Sequence, residues 1–186
     1  MKIAIVANGD SLLRLKKGVE IDSHDIVIRL NLYYALIDPE TTGVKISIWS
    51  CAFGDLIYDD ENRSEEIWCA RPRKWENNNK WTIGNKVDHG RITRDISEGE
   101  YGRIASIVLN AGGTNPTTGF LTLKFVQKIH PKAEIDLYGY DFFDPPKHYY
   151  EDHNIVGTGH NKEHSPKVEK KLIMEGVKKG EYRWIY

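Results

Sequence analysis

Short apolar runs divided by polar turns are the first pattern along the chain. KIAIVA at 2–7 predicts a strand, the turn Asn8-Gly9-Asp10-Ser11 follows, and a Leu/Lys segment predicts a short helix to Lys17. IVIRL at 26–30 predicts a second strand ending at Asn31, VKISIW at 44–49 a third after the turn region 39–43, and 66–70 a fourth. From 71 to 102 the pattern dissolves into Asn, charged residues, Trp75 and Trp81, and predicts a long irregular insertion over one end of the sheet.

Beyond it, ASIVL at 105–109 predicts a strand, the apolar stretch from Pro116 to about Ile129 a helix, and IDLY at 135–138 another strand. In NPTTGFLTLKF, Asn115 is the expected cap and Pro116 the expected first helical residue, because proline lacks only a donor that would be unpaired there. PKVEKKLIMEGVKKG reads as an amphipathic helix with Ser165 as its expected cap and Gly180 as its stop. Strands alternating with helices give an α/β fold class: one Rossmann-like domain over 1–186, with a mainly parallel sheet and helices on both faces.

Ligands of such sheets collect beyond the carboxyl ends of the strands. The polar stretches expected there are 8–11, Asn31 and 112–119. The N–H groups near Thr117, Thr118 and Gly119 lack intrahelical acceptors at the positive end of a helix dipole, which makes an anion site; a helix needing only a firm start would be written in the same letters. ANGDSL is not G-x-G-x-x-G and no P-loop lysine motif occurs, which argues against NAD and ATP.

Composition narrows the partners. With 26 Lys and Arg against 27 Asp and Glu the net charge is -1, giving no case for nucleic acid or an anionic membrane from the whole-chain balance. The basic run Arg71-Pro72-Arg73-Lys74-Trp75 reads as a solvated loop, with acceptor or peripheral membrane contact as its second reading. Cys51 and Cys69 sit in apolar stretches and read as buried thiols; with no signal-peptide core or membrane span, a cytoplasmic location is the expectation. Four of the seven histidines, His148, His153, His160 and His164, fall in one stretch. It reads as a catalytic edge, as a zinc site with Asp141, Asp144, Glu151 and Asp152 whose spacing matches no standard motif, or as a solvated loop packed by its aromatic residues.

Four separate stretches, in this order, resemble the sialylmotifs of the family 29 sialyltransferases. IAIVANGDSLL with GVEIDSHDIVIRLN is similar to the large motif, and NPTTGFLTLKFVQKIHPKAEIDLYGYD to the small one. HYYE is similar to the third motif, and HSPKVEKKLI, with Glu169 five residues after His164, to the very small one. The resemblance implies a GT-A-like variant of the Rossmann-like fold and an inverting, metal-independent transferase moving sialic acid from CMP-sialic acid to a glycan or glycolipid hydroxyl. By the same resemblance Asn8 and Asn31 contact the phosphate or ribose region of the donor, and Thr117, Thr118 and Gly119 its cytidine or sugar carboxylate. His148 assists at the phosphate, His164 is the general base with His160 as its competitor, and Glu169 supports the site. No metal or other cofactor is implied. Ile3 stands where animal members carry a motif-linking cysteine, and the chain starts at the large motif, so the expectation is a microbial or viral soluble version. A CMP-Kdo-dependent transferase and a non-catalytic CMP-sugar-binding module are the alternatives.

Overall fold

The structure is a computed structural model that describes residues 1–33, 37–52, 64–70, 72, 92–144 and 164–186. Its core is β1 (Lys2–Val6), whose Ile3, Ala4 and Ile5 have no exposed surface. A strand apolar on both sides belongs in the middle of a parallel sheet. β1 pairs in parallel with β2 (Ile26–Leu30) on one side and β6 (Glu134–Tyr138) on the other. β3 (Ile48–Cys51), β4 (Glu66–Cys69) and β5 (Ile92–Asp95) extend the sheet beyond β2, and β7 (Arg183–Ile185) closes the edge beyond β6. All seven strands run parallel in the order β5-β4-β3-β2-β1-β6-β7. The order reverses direction between β1 and β6, so the crevice at their carboxyl ends is the topological switch point where such sheets bind ligands.

Helices cover both faces. α3 (Glu98–Asn110), α4 (Thr118–Ile129) and α5 (Pro166–Lys178) bury Ile104, Val108, Phe120, Leu121 and Ile173 against Ile3, Ile5, Ile28 and Leu30. On the opposite face, α1 (Ser11–Leu15) and α2 (Gly18–Asp22) set Leu12 and Ile21 against Ala4, Val6, Val27 and Tyr138. Cys51 and Cys69 are buried thiols, in register on neighbouring strands.

Several boundaries differ from the sequence expectation. Residues 105–109 are helix, not strand: Ser97 accepts from the Glu100 N–H to cap α3, and Tyr101, Ile104, Ala105 and Val108 form a buried stripe at helical spacing while Leu109 faces water. β5 and the first turn of α3 fall inside the expected insertion at 71–102; residues 71 and 73–91 lie outside the described residues. The third strand starts at Ile48 rather than 44, because the Asp22 carboxylate takes the N–H groups of Val44 and Lys45 and holds them in a loop. α4 starts later than expected: Thr117, not Asn115, is its cap, and Pro116 precedes the helix. Ser165 flanks α5 without capping it through its side chain, whereas Gly180 ends the helix with a φ of +71°.

Candidate active site

The turn after β1 is built around a carboxylate. Asp141, just beyond β6, accepts from the Ser11 N–H at 2.8 Å and from the Ser11 hydroxyl, and is 5% exposed. Gly9 donates to the Gly139 carbonyl at 2.9 Å, and a Cβ at Gly9 would lie 2.4 Å from Asp141 Cγ. Only glycine allows the loop to lie this close to the end of β6. Asp141 therefore ties together the two strands of the switch point. Among the described residues no group of three or more His, Cys, Asp or Glu side chains is placed to hold a metal.

Asn8 and Asn31 follow β1 and β2, which are paired neighbours. Asn8 donates from Nδ2 to the Leu30 carbonyl at 3.1 Å, an acceptor that fixes the amide orientation. Its Oδ1 is buried with no partner among the described residues, and Asn31 Oδ1 is in the same condition. Asn31 has a φ of +47°, a left-handed conformation that asparagine tolerates, and its backbone is pinned by its own N–H to the Ser50 carbonyl and by the Trp49 indole to its carbonyl. Buried amide oxygens left without donors cost stability unless something else supplies them. Two of them at adjacent strand ends form an acceptor pair awaiting hydroxyl or amino donors.

α4 begins over these strand ends. Gly119 lies against Tyr140 and Leu30, where a Cβ would come within 3.2 Å of the Tyr140 ring and 3.3 Å of Leu30 Cδ1, and its carbonyl accepts from the Tyr140 hydroxyl at 3.1 Å. Close packing of helix on sheet thus accounts for its missing side chain. Burial, reinforced by the nearby Glu169 charge, pushes the Tyr140 phenol well above its ordinary range, so it stays a neutral donor. Thr117 caps the helix by accepting from the Phe120 N–H at 3.2 Å. The Thr117 N–H itself is already taken, by Glu169 Oε1 at 2.7 Å, so the expected anion site contracts to the N–H groups of Thr118 and Gly119, which meet no acceptor among the described residues.

Three contacts fasten the approach to α4 onto the start of α5. Thr114 donates its N–H to Ser165 Oγ at 3.0 Å, and His164 Nδ1 donates to the Asn115 carbonyl at 2.8 Å. Glu169, 3% exposed, receives the Thr117 N–H on one oxygen and the Thr117 hydroxyl on the other, at 2.6 Å. Because a carbonyl only accepts, a neutral His164 carries its proton on Nδ1 and its lone pair on Nε2. That is the tautomer a base needs when its other nitrogen meets substrate.

Asn8, Asn31, Thr117, Thr118, Gly119, His164 and Glu169 are linked through these contacts at the carboxyl end of the sheet. His148 lies outside the described residues, as do His153 and His160, the competitor of His164. Asp141, Tyr140 and Ser165 organise the site without having been singled out for it. Their signal was present for Asp141 and Tyr140 in GYD following a strand that ends beside the first polar turn. Phe142 and Phe143, next in the chain, both have left-handed backbones, with φ of +54° and +57°, a conformation that costs roughly 1–2 kcal/mol per residue.

Comparison with known proteins agrees on the fold. The model of glycosyltransferase family 29 (sialyltransferase) matches residues 1–37. A mammalian sialyltransferase structure matches with a TM-score of 0.75 at 20% identity, covering 99% of this chain and 68% of that one. A second mammalian structure, in complex with Gal-beta-1-3GalNAc-ortho-nitrophenol, gives 0.70 at 19% identity over 99% of this chain and 68% of that one. The sialyltransferase CstII from Campylobacter jejuni, in complex with cytidine-5'-monophosphate, gives 0.60 at 18%, covering 99% and 79%. Curated proteins give no sequence match.

Proposed function

We propose that this chain, with the family 29 sialyltransferase match at its start and the sialyltransferase fold throughout, transfers sialic acid from CMP-sialic acid to a glycan hydroxyl. The observation that carries the reading is the placement of His164 against the α4 approach, whose helix start in turn overlies the strand ends bearing two donorless buried amide oxygens.

Amide oxygens accept, so Asn8 and Asn31 suit the ribose hydroxyls or the cytosine amino group better than a phosphate, which has no proton to give at neutral pH. The N–H groups of Thr118 and Gly119, at the positive end of the α4 dipole, suit the phosphate or the sugar carboxylate. As CMP leaves, negative charge grows on its phosphate and positive character on the anomeric carbon, and fixed N–H donors favour that change over the ground state. His148 assists the same phosphate in this reading. His164 Nε2 takes the proton of the incoming hydroxyl as it attacks the face opposite CMP, giving inversion in one step. Glu169 acts through Thr117 by holding the helix start in place. The reaction as proposed needs no metal, and EDTA is expected to leave the rate unchanged.

The test is transfer from CMP-sialic acid to a panel of galactose-terminated glycans. His164→Ala is expected to lower turnover by about 10²–10⁴-fold, the range for losing a general base, with CMP affinity nearly unchanged. Turnover retained in that variant would remove His164 from the role, and transfer from CMP-Kdo alone would reassign the donor.

A further inference from the structure

α5 starts two residues after His164 and buries Glu169, Ile173 and Gly176 against the body of the protein. At 100° per residue the opposite side is a stripe of Lys167, Lys171, Met174 and Lys178, with exposed lysines and a half-buried methionine, and exposed Lys170 borders it on one side. No acidic residue lies within it; Glu175 sits at its rim. Among the described residues Lys167, Lys171 and Lys178 form no ion pair. Lys167 and Lys171 are like charges one turn apart, an arrangement that weakens a helix on its own. The whole chain carries only -1, so this is a local concentration of positive charge rather than a basic protein.

An aromatic group flanks the stripe. The Lys170 ammonium stands 5.8 Å from the ring centres of both Phe142 and Trp184, and Trp184 stacks 4.9 Å from Tyr186, which is 65% exposed. The Trp184 indole is half-buried with its nitrogen enclosed, so it is the exposed Tyr186 phenol, with an apolar body and a polar end, that suits the boundary between lipid headgroups and acyl chains.

We propose that the α5 lysine stripe, with the Trp184 and Tyr186 rim, is a docking surface for an anionic lipid bilayer. Its predominantly basic face complements a negatively charged plane, and Tyr186 and Met174 give it an apolar component that a purely electrostatic contact with a soluble polyanion would not use. Docking there sets the start of α5, and His164 with it, next to the membrane surface. Only the consequence for substrate rests on the transferase reading: the acceptor would then be a membrane-borne glycan.

Vesicle co-sedimentation tests the surface without any transfer reaction. The full chain is expected to partition into phosphatidylcholine vesicles containing 30% phosphatidylglycerol, at low salt, at least about tenfold better than into phosphatidylcholine alone. The triple variant Lys167→Glu, Lys171→Glu, Lys178→Glu is expected to bind the anionic vesicles at least about a hundredfold more weakly, while the matching triple arginine variant binds like wild type. Unfolding temperature and CMP affinity of each variant report on its fold; if the triple variant is unfolded, Lys171→Glu alone is read instead, with about a fivefold loss expected. Equal partitioning into both vesicle types, unchanged binding by a folded charge-reversed variant, or retention by heparin without vesicle binding would each overturn the proposal.

Discussion

Glu169 is a buried carboxylate that accepts from Thr117 through both the backbone N–H and the hydroxyl. Hydrogen bonds to a charged acceptor are worth more than neutral ones, and removing the acceptor strands two donors at a helix start. Glu169→Ala is therefore expected to lower the free energy of unfolding by about 2–3 kcal/mol, with Glu169→Gln recovering part of it, as read by denaturant unfolding. Equal stability of all three proteins would remove Glu169 from this positioning role. His164 and Glu169 were singled out together by the resemblance of HSPKVEKKLI to the very small sialylmotif, which did not show that Glu169 would hold Thr117. Nothing in the letters says that Thr117 rather than Asn115 caps α4, because both residue types cap well and the choice falls to the residue that Glu169 can reach. Gly119 was read as lean for a ligand, and its contacts with Tyr140 and Leu30 give a packing reason for the same letter.

The strands that build the site were the most readable elements. β1, β2 and β6 are short, mainly apolar runs because they are buried on both faces, with Arg29 and Asp136 as buried charged exceptions, and each was placed to within a residue. ASIVL carried the same local signal and is helical, since five residues are too few to separate a strand from one turn of an amphipathic helix; the wider stripe from Tyr101 to Val108 settles it. β7 is a three-residue edge strand, with Arg183 exposed and Trp184 and Ile185 half-buried on opposite faces, too short to show alternation. It is held by a tether with pH dependence of its own. Arg183 donates to both oxygens of buried Asp136 in β6, and His24 Nε2 reaches the same carboxylate at 3.0 Å, while Tyr138 in β6 donates to Glu20. Burial is the largest influence on Asp136 and pushes it up, but the donors His24 and Arg183 outweigh it and hold the carboxyl at about 2. The hydrogen bond to Asp136 raises His24, against an opposing cost of burial.

The signs follow by linkage. Asp136, depressed below its ordinary 3.8, contributes stability that is present above that value and lost as pH falls toward 2. His24, raised above 6.5, contributes stability that is complete below 6.5 and lost as pH rises through its folded value. The pair is thus most stabilising between 3.8 and 6.5. Unfolding temperatures of wild type and His24→Gln, measured from pH 6 to 9, should converge as pH rises, with wild type falling more steeply. Parallel curves would contradict the assignment.

At the scale of the whole molecule, the parallel sheet with helices on both faces was readable from the alternation of elements, and the strand order was not. Order depends on which crossover lies on which face, and the reversal between β1 and β6 is what turns separate polar stretches into one crevice. The two buried amide oxygens, the open N–H groups of α4 and His164 share that end of the sheet because of this order. Among the described residues no helix is long and apolar enough to cross a membrane. Calorimetric titration with CMP, against UMP, AMP and GMP, reads directly, and without any choice of acceptor, whether the crevice receives the cytidine nucleotide of an activated sugar. Selective CMP binding is expected, with Asn8→Ala and Asn31→Ala each weakening it by roughly tenfold, the loss of about one buried hydrogen bond. A folded chain that binds none of the four nucleotides, or binds them all alike, would contradict that expectation.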